Sequence, residues 1–234
     1  MNIGLIGIGR LGTQIAKSFL MHGNRVKAFH HDQEKLEMFC SDINDFGDIE
    51  PIYKIDEFKD KVTLIVLALP PDVTPEISRR LNKLISRGQW VVNTATDVYL
   101  TELYSELGRE KLVAAKIIGN ASEIEKGENP GVVVDGRNEE LVRRTKELFS
   151  QLGYTIEGNE SMVSKVNKIG AIEAIRTVLR IEKKMDENNI ELDDEMCNAL
   201  LCNVVAGTIK TYSQGNIGPF LEKLITQLKK ETLK

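Results

Sequence analysis

Three glycines near the N-terminus have the spacing of a phosphate-binding turn. Gly7, Gly9 and Gly12 form GIGRLG between an apolar run at 3–7 and a helical pattern at 11–21. In this context Gly7 permits a tight turn, Gly9 lets the backbone approach a diphosphate, and Gly12 lets the helix lie close on the strand. N–H groups at the start of the helix, where Arg10 and Leu11 lie, then bind the phosphates. The motif predicts a dinucleotide site, and a glycine turn that only packs remains the alternative.

The end of the second predicted strand bears on which dinucleotide binds. A site that prefers NAD usually ends this strand in an acid that binds the adenosine ribose, whereas VKAF is followed by His30 and His31. Without the carboxylate a ribose 2′-phosphate is not repelled, and an imidazole can donate to it, especially when protonated. NADP is therefore favoured. NAD stays possible if Asp32, about 20 residues beyond Gly12, is the ribose acid. Separately, the alternative for the histidines is a solvated strand end.

The elements that position these residues alternate between strand and helix. Apolar runs predict strands at 3–7, 26–29, 63–68, 90–93 and 112–118, and helical patterns fall at 11–21, 33–39, 75–85 and 100–107. Such alternation is typical of a parallel sheet with crossover helices, and strands covered on both faces are continuously apolar. The polar stretch at 42–60 is predicted to be loop with one short extra strand.

The character of the chain changes near Gly158. Before it, a strand at 132–134, a helix at 138–152 and a strand at 154–156 continue the sheet; after it, only helical patterns remain, at 162–188, 193–213 and 219–230. Asp193 or Asp194 is a suitable N-cap, and Pro219 suits a first helical position. The sequence thus predicts an α/β protein with a Rossmann-type, mostly parallel sheet at 1–158 and a helical domain at 159–234.

The last helical patterns are apolar on more than one face. Their apolar residues include Ala199, Leu200, Leu201, Val204, Val205 and Ile209. Because three helices form little core alone and such surface is usually covered by a partner, we expect a homodimer built through this segment.

Composition excludes several function classes. The net charge of −4 comes from 31 basic and 35 acidic residues spread along the chain, so nucleic acid is a poor partner. Three cysteines without CxxC spacing predict reduced thiols and no metal site. Without a basic leader or an apolar run of about 18 residues, a secretory signal or membrane span is not expected. We therefore expect a cytoplasmic protein.

The chain resembles the NAD(P)-dependent reductases that join this nucleotide-binding domain to a helical dimerisation domain. They include pyrroline-5-carboxylate reductase and the β-hydroxyacid dehydrogenases. The similarity covers residues 1–100, in NIGLIGIGRLG, GNRVKAFHHDQEKL, LIVLALPPD and VVNTAT. It implies that Leu69 and Pro70 lie against the cofactor and that Asn93 and Thr94 lie near the nicotinamide. For LALPP, a strand stopped by prolines is the simpler alternative.

The second half resembles these enzymes in layout and departs in its motifs. The substrate loop SGSGP of pyrroline-5-carboxylate reductase is absent from KVNKIGAIEAI, while IIGNAS resembles its Met-Pro-Asn motif and would place Asn120 at the substrate. Lys165 matches the catalytic lysine of the β-hydroxyacid dehydrogenases, although Ile169 replaces their asparagine. A lysine there would stabilise charge that develops during hydride transfer. The alternative is a solvated basic helix face.

These observations predict an NAD(P)H-dependent oxidoreductase. Its expected reaction is the reduction of a small carboxylated imine or keto compound, as in pyrroline-5-carboxylate reductase. Two alternatives remain: a β-hydroxyacid dehydrogenase-like enzyme that uses Lys165, and a non-catalytic dimer that senses the dinucleotide.

Overall fold

The structure, a computed structural model, describes residues 1–232. Its backbone divides into two compact units, Met1–Gly170 and a second unit from Ala171 onward. The division falls inside one long helix, and the domain boundary expected near Gly158 stays a prediction. Each unit is described by itself.

One sheet of eight strands forms the centre of the first unit, in the order β3-β2-β1-β4-β5-β6-β7-β8. All neighbouring strands run parallel except β6 and β7, which pair antiparallel. The strands are β1 (Asn2–Ile6), β2 (Arg25–Phe29), β3 (Ile49–Ile52), β4 (Leu64–Leu67), β5 (Trp90–Asn93), β6 (Leu112–Ile118), β7 (Gly131–Gly136) and β8 (Tyr154–Glu157). The predicted mostly parallel α/β sheet is confirmed.

Helices cover both faces of this sheet. They are α1 (Arg10–Met21), α2 (Gln33–Ile43), α3 (Thr74–Asn82), α4 (Leu100–Leu107), α5 (Ala121–Glu125), α6 (Glu139–Phe149) and α7 (Ser161–Glu187), of which α7 belongs to the first unit through Gly170. One core layer contains Phe19, Trp90 and Phe149, and the other contains Phe58 and Leu103. Because both faces are buried, strands such as β4 are apolar at every position.

The prediction for 42–60 is confirmed, and two helical regions differ from the predictions. The short strand expected within 42–60 is present as β3, with 3₁₀ turns at Asn44–Phe46 and Ile55–Phe58. Helix α5 was not predicted, because its five residues are too few for a periodic pattern. The predicted helix at 193–213 is interrupted by a π-helical segment, Leu200–Val205, between α8 (Asp194–Ala199) and α9 (Ala206–Ser213).

The second unit is helical. It contains the rest of α7, then α8, the π-helical segment, α9 and α10 (Pro219–Thr232). Asp193 caps α8, since its side chain accepts a hydrogen bond from Met196 N at 2.8 Å, and Pro219 begins α10, both as predicted. No side chain between 171 and 230 is buried. Within residues 1–232, no helix is long and apolar enough to cross a membrane.

Candidate functional site

Two glycines of the GIGRLG turn are required by the fold itself. Gly7 has a φ of +104°, and a Cβ there would lie 2.2 Å from the carbonyl oxygen of Ala68. A Cβ on Gly12 would lie 2.1 Å from the carbonyl oxygen of Gly7. These contacts show the tight turn and the close packing of α1 that the spacing predicted.

Gly9 is different because the fold does not require a glycine at this position. A Cβ there would have no atom within 4 Å, and its φ of −68° suits any residue. Gly9 is the N-cap of α1, and no side chain of the described chain caps this helix. The N–H groups of the first turn therefore face an open space, and the positive end of the helix dipole favours an anion there.

A cleft of about 430 Å³ opens at this helix end, where β4 and β5 terminate. We call it the β4–β5 cleft, and it is lined by Gly9, Arg10, Leu11, Gly12, Ala68, Leu69, Pro70, Pro71, Thr94, Ala95, Thr96 and Asp97. It joins the glycine turn to three residues that only the resemblance had indicated, Leu69, Pro70 and Thr94. The carboxyl edge of a parallel sheet, where the strand order reverses, is where such folds bind dinucleotides.

Asn93 does not line this cleft and instead shapes the loop beside it. The side chain is fully buried; its Nδ2 donates to Val98 O at 2.8 Å and its Oδ1 accepts from Ala95 N at 3.0 Å. Thr94 donates from Oγ1 to Leu67 O at 2.8 Å. The two side chains thus fix the backbone that follows β5.

A second cleft, of about 540 Å³, lies on the β2 side of the glycine turn. Its lining includes Gly9, Lys17, His30, Lys35 and Asp42, so this β2 cleft has two ammonium groups, one imidazole and one carboxylate near the place where an adenosine ribose would lie. His31 is not part of its lining, but its ring centroid lies 4.2 Å from that of His30.

The structure gives Asp32 a different role from that of a ribose acid. Strand β2 ends at Phe29, and Asp32 is the N-cap of α2, where Oδ1 accepts from Lys35 N at 3.1 Å. That hydrogen bond lowers the pKa of the Asp32 carboxyl. The N–H of Asp32 also donates to His30 Nδ1 at 3.1 Å. The carbonyl oxygen of Asp32 lies 3.2 Å from the same nitrogen, so the ring tautomer decides which contact forms. When Nδ1 accepts from Asp32 N, the proton of the neutral ring is on Nε2, which can then donate to a phosphate.

The two predicted catalytic residues do not line either cleft. Asn120 is exposed and caps α5, because its Oδ1 accepts from Ser122 N at 3.0 Å. Lys165 is exposed on α7. Its neighbour Ser164 donates from Oγ to Asp97 Oδ1 at 2.7 Å, which brings this part of α7 to the rim of the β4–β5 cleft.

A buried ion pair was missed by the sequence reasoning. Lys116 lies in the middle of β6 and is fully buried; its Nζ donates to Val98 O at 2.8 Å and also to Ala95 O. Its ion pair with Glu160 Oε2 measures 3.5 Å. The signal was a lysine inside the apolar run LVAAKII, since a strand buried on both faces must supply partners for such a charge.

Burial shifts the pKa of both groups of this pair. Desolvation lowers the pKa of Lys116 to about 8, against the attraction of Glu160. Desolvation also raises the pKa of Glu160, against a hydrogen bond of 2.6 Å from Leu100 N and the attraction of Lys116.

Within residues 1–232, no cluster of three or more metal-ligating side chains occurs.

Part of the chain is similar to a known protein family. Residues 2–97 match the family model described as "NADP oxidoreductase coenzyme F420-dependent". No curated protein matches the sequence.

Solved structures match over nearly the whole chain. A pyrroline-5-carboxylate reductase from Coxiella burnetii superposes with a TM-score of 0.75 at 16% identity, covering 99% of this chain and 91% of that one. The Plasmodium falciparum pyrroline carboxylate reductase with NADP bound gives 0.67 at 12%, covering 100% and 91%. A 3-hydroxyisobutyrate dehydrogenase from Mycobacterium tuberculosis gives 0.65 at 11%, covering 85% and 69%. These likenesses show the fold. The predicted resemblance to NAD(P)-dependent reductases is confirmed at the level of the superfamily by the family model, over residues 2–97.

Proposed function

We propose that this chain is an NADP-dependent oxidoreductase whose cofactor extends across the GIGRLG turn. The adenosine half would occupy the β2 cleft beside His30, His31 and Lys35. The diphosphate would bind the first turn of α1, and the nicotinamide half would lie against Leu69, Pro70 and Thr94. The observation that carries this proposal is Gly9, a glycine that no packing contact requires, at an uncapped helix N-terminus.

Preference for NADP over NAD is supported by the end of β2. The carboxylate of Asp32 is held at the α2 N-terminus by Lys35 N, and Lys35 Nζ lies 3.4 Å from its Oδ2. The cleft at the expected ribose position thus offers the His30 imidazole and the ammonium groups of Lys17 and Lys35 as donors, together with one carboxylate, that of Asp42. A 2′-phosphate there would be bound by charge-assisted hydrogen bonds, which are stronger than neutral ones.

For the substrate we propose a small carboxylated imine or keto compound. The support is the likeness over 99% of the chain to the Coxiella pyrroline-5-carboxylate reductase, together with the matched NADP oxidoreductase model. The cofactor supplies the hydride, and the chain supplies its orientation and charge. A cytoplasmic location stays a prediction.

A homodimer is proposed for the helical unit. Helix α7 exposes an apolar stripe, Ile169, Ile172, Ile175 and Leu179, of which Ile175 and Leu179 are 61% and 59% exposed. Spacing of three or four residues puts these side chains on one face of the helix. A second copy of the same helices offers a matching apolar face, and a two-fold interface is self-complementary.

The activity is tested by incubating the chain with NADPH and a panel of cyclic imino acids and small keto acids. We expect oxidation of NADPH with at least one member, and weaker binding of NADH than of NADPH. Tight NADPH binding without turnover on any member would instead favour the dinucleotide-sensing dimer. Absence of binding to either cofactor would contradict the proposal.

A second candidate, a β-hydroxyacid dehydrogenase-like reaction that uses Lys165, is favoured by one observation. The hydrogen bond between Ser164 and Asp97 puts the residue before Lys165 at the rim of the β4–β5 cleft. If Lys165 donates a proton, Lys165→Ala should lower kcat by roughly a hundredfold or more. Lys183→Ala, an exposed lysine of the same helix paired with Glu187, is the control and should leave the rate unchanged.

A further inference from the structure

The loop that follows β5 accepts two hydrogen bonds from a buried cation, Lys116. Residues 94–97 of this loop line the β4–β5 cleft opposite the first turn of α1. Lys116 Nζ donates to two carbonyl oxygens of the loop, those of Ala95 and Val98. These residues bracket Thr96 and Asp97, so the cation joins the two ends of this stretch of the loop, and Lys116 itself is not part of the cleft lining.

Glu160, the anion that balances this cation, also contacts α4 and β7. Glu160 Oε2 lies 3.5 Å from Lys116 Nζ, which is long for a strong hydrogen bond and makes the contact mainly electrostatic. Its Oε1 accepts from Leu100 N, the first residue of α4, at 2.6 Å. The backbone N–H of Glu160 donates to Asp135 Oδ2 of β7 at 2.9 Å, directly before α7 begins.

An apolar residue at position 116 would leave this arrangement incomplete. Val98 O also accepts from the side chain of Asn93, and Ala95 O also accepts from Val98 N at a long 3.4 Å, so Lys116 is the second donor to each carbonyl and the one that reaches both from β6. Burying a charge in a sheet is costly, and a well-packed apolar pair in its place is often neutral or stabilising. Stability alone therefore does not account for a lysine in the centre of β6.

We infer that Lys116 is a positioning residue, which holds residues 94–98 in the shape that receives the nicotinamide half of the cofactor. This inference rests on the proposed function. Lys116 acts through the backbone of the loop and does not line the cleft. Loss of its donors should therefore weaken contacts with the nicotinamide half and leave the adenosine half, bound in the β2 cleft, unaffected.

The test compares NADPH with adenosine 2′,5′-bisphosphate, which contains the adenosine half and no nicotinamide. Calorimetry is performed on wild type, Lys116→Met and the double variant Lys116→Met/Glu160→Gln, with thermal unfolding of each. The double variant removes the unpaired carboxylate that the single change leaves buried, so it should recover stability. We expect NADPH to bind roughly tenfold more weakly to both variants, because part of the binding free energy must then order the loop that Lys116 no longer holds. The bisphosphate should bind all three proteins equally.

Hydrogen exchange of the peptide that covers 94–99 gives a second readout without cofactor, and it should be faster in both variants. Lys111→Met, a change in the turn before β6, is the control for loss of a lysine. The inference is overturned if the double variant regains wild-type affinity for NADPH, or if NADPH and the bisphosphate weaken together. Wild type that binds neither ligand overturns the proposed function as well, whereas unchanged NADPH affinity in both variants overturns only the present inference.

Discussion

The two units of this chain differ in where their apolar side chains lie. In the first unit, helix α1 buries Ile15, Phe19 and Leu20 against the sheet, and every residue of β4 is buried. In the second unit, no side chain between 171 and 230 is buried, and the apolar side chains of Ile175, Val204 and Ile209 are each more than half exposed. The first unit completes its core within one chain, whereas the second presents apolar surface that a single copy leaves in contact with water.

This difference separates the two proposed tasks. The proposed cofactor contacts come from loops and helix ends that a rigid sheet positions, so they depend on the core of the first unit. The proposed homodimer depends on helix faces of the second unit. Substitutions in the first unit should therefore alter cofactor binding and leave dimerisation unchanged, and substitutions in the second unit should do the reverse.

The largest effect is expected from a charge on the α7 stripe. In a symmetric dimer Ile175→Asp would bury a carboxylate twice, at about 2 kcal/mol each, so dimerisation should weaken on the order of a thousandfold. Sedimentation over a range of concentrations measures this change. Ala174→Asp, an exposed position facing away from the stripe, is the matched control. Equal behaviour of the two variants would remove the stripe from the interface.

Next in size is the contribution of Lys116 to the pH dependence of stability. Its pKa is lowered from 10.5 to about 8, so between these values the unfolded chain binds more protons than the folded one. Stability from this group therefore rises as pH increases from about 8 to 10.5, by up to roughly 3 kcal/mol. Below pH 8 the cost of burying the charge is present in full.

Urea unfolding across this alkaline window checks that sign. The double variant Lys116→Met/Glu160→Gln lacks the titrating lysine and should lack the rise, while it retains whatever slope the exposed lysines contribute. Parallel curves for the two proteins would show that Lys116 keeps an ordinary pKa in the folded state.

A smaller effect is expected at the end of β2. His30→Asp places a carboxylate in the β2 cleft, where it repels a 2′-phosphate and accepts from a ribose hydroxyl. We expect the ratio of NADPH to NADH affinity to fall about tenfold, which corresponds to about 1.4 kcal/mol. His30→Gln, of similar size and uncharged, distinguishes added charge from lost imidazole. Sedimentation of His30→Asp should match wild type, since the change lies outside the helical unit.

Features that depend on residues close together in the chain could be predicted from the sequence, whereas contacts between distant residues could not. The glycine turn, the bounds of β5 and β6 and the N-cap at Asp193 depend on residues close together in the chain, and local spacing indicated each. The Lys116–Glu160 pair joins β6 to the residue before α7, and Ser164 reaches Asp97 from the other end of the unit. Such contacts depend on the order of strands, which spacing does not encode. The sequence singled out Asn120 but did not predict its role as the N-cap of α5, because this helix of five residues is too short to give a periodic pattern.

The central claim is that the backbone at Gly9 receives a diphosphate, and Gly9→Ala tests it most directly. The added methyl group meets no protein atom, so the free energy of unfolding should change no more than in the control Gly218→Ala, which also starts a helix and meets no atom within 4 Å. Calorimetry with NADPH should show binding to wild type and Gly218→Ala, and binding weakened roughly tenfold or more in Gly9→Ala, where the methyl occupies space that the diphosphate needs. Equal NADPH affinity in all three proteins, or none in wild type, would contradict the account.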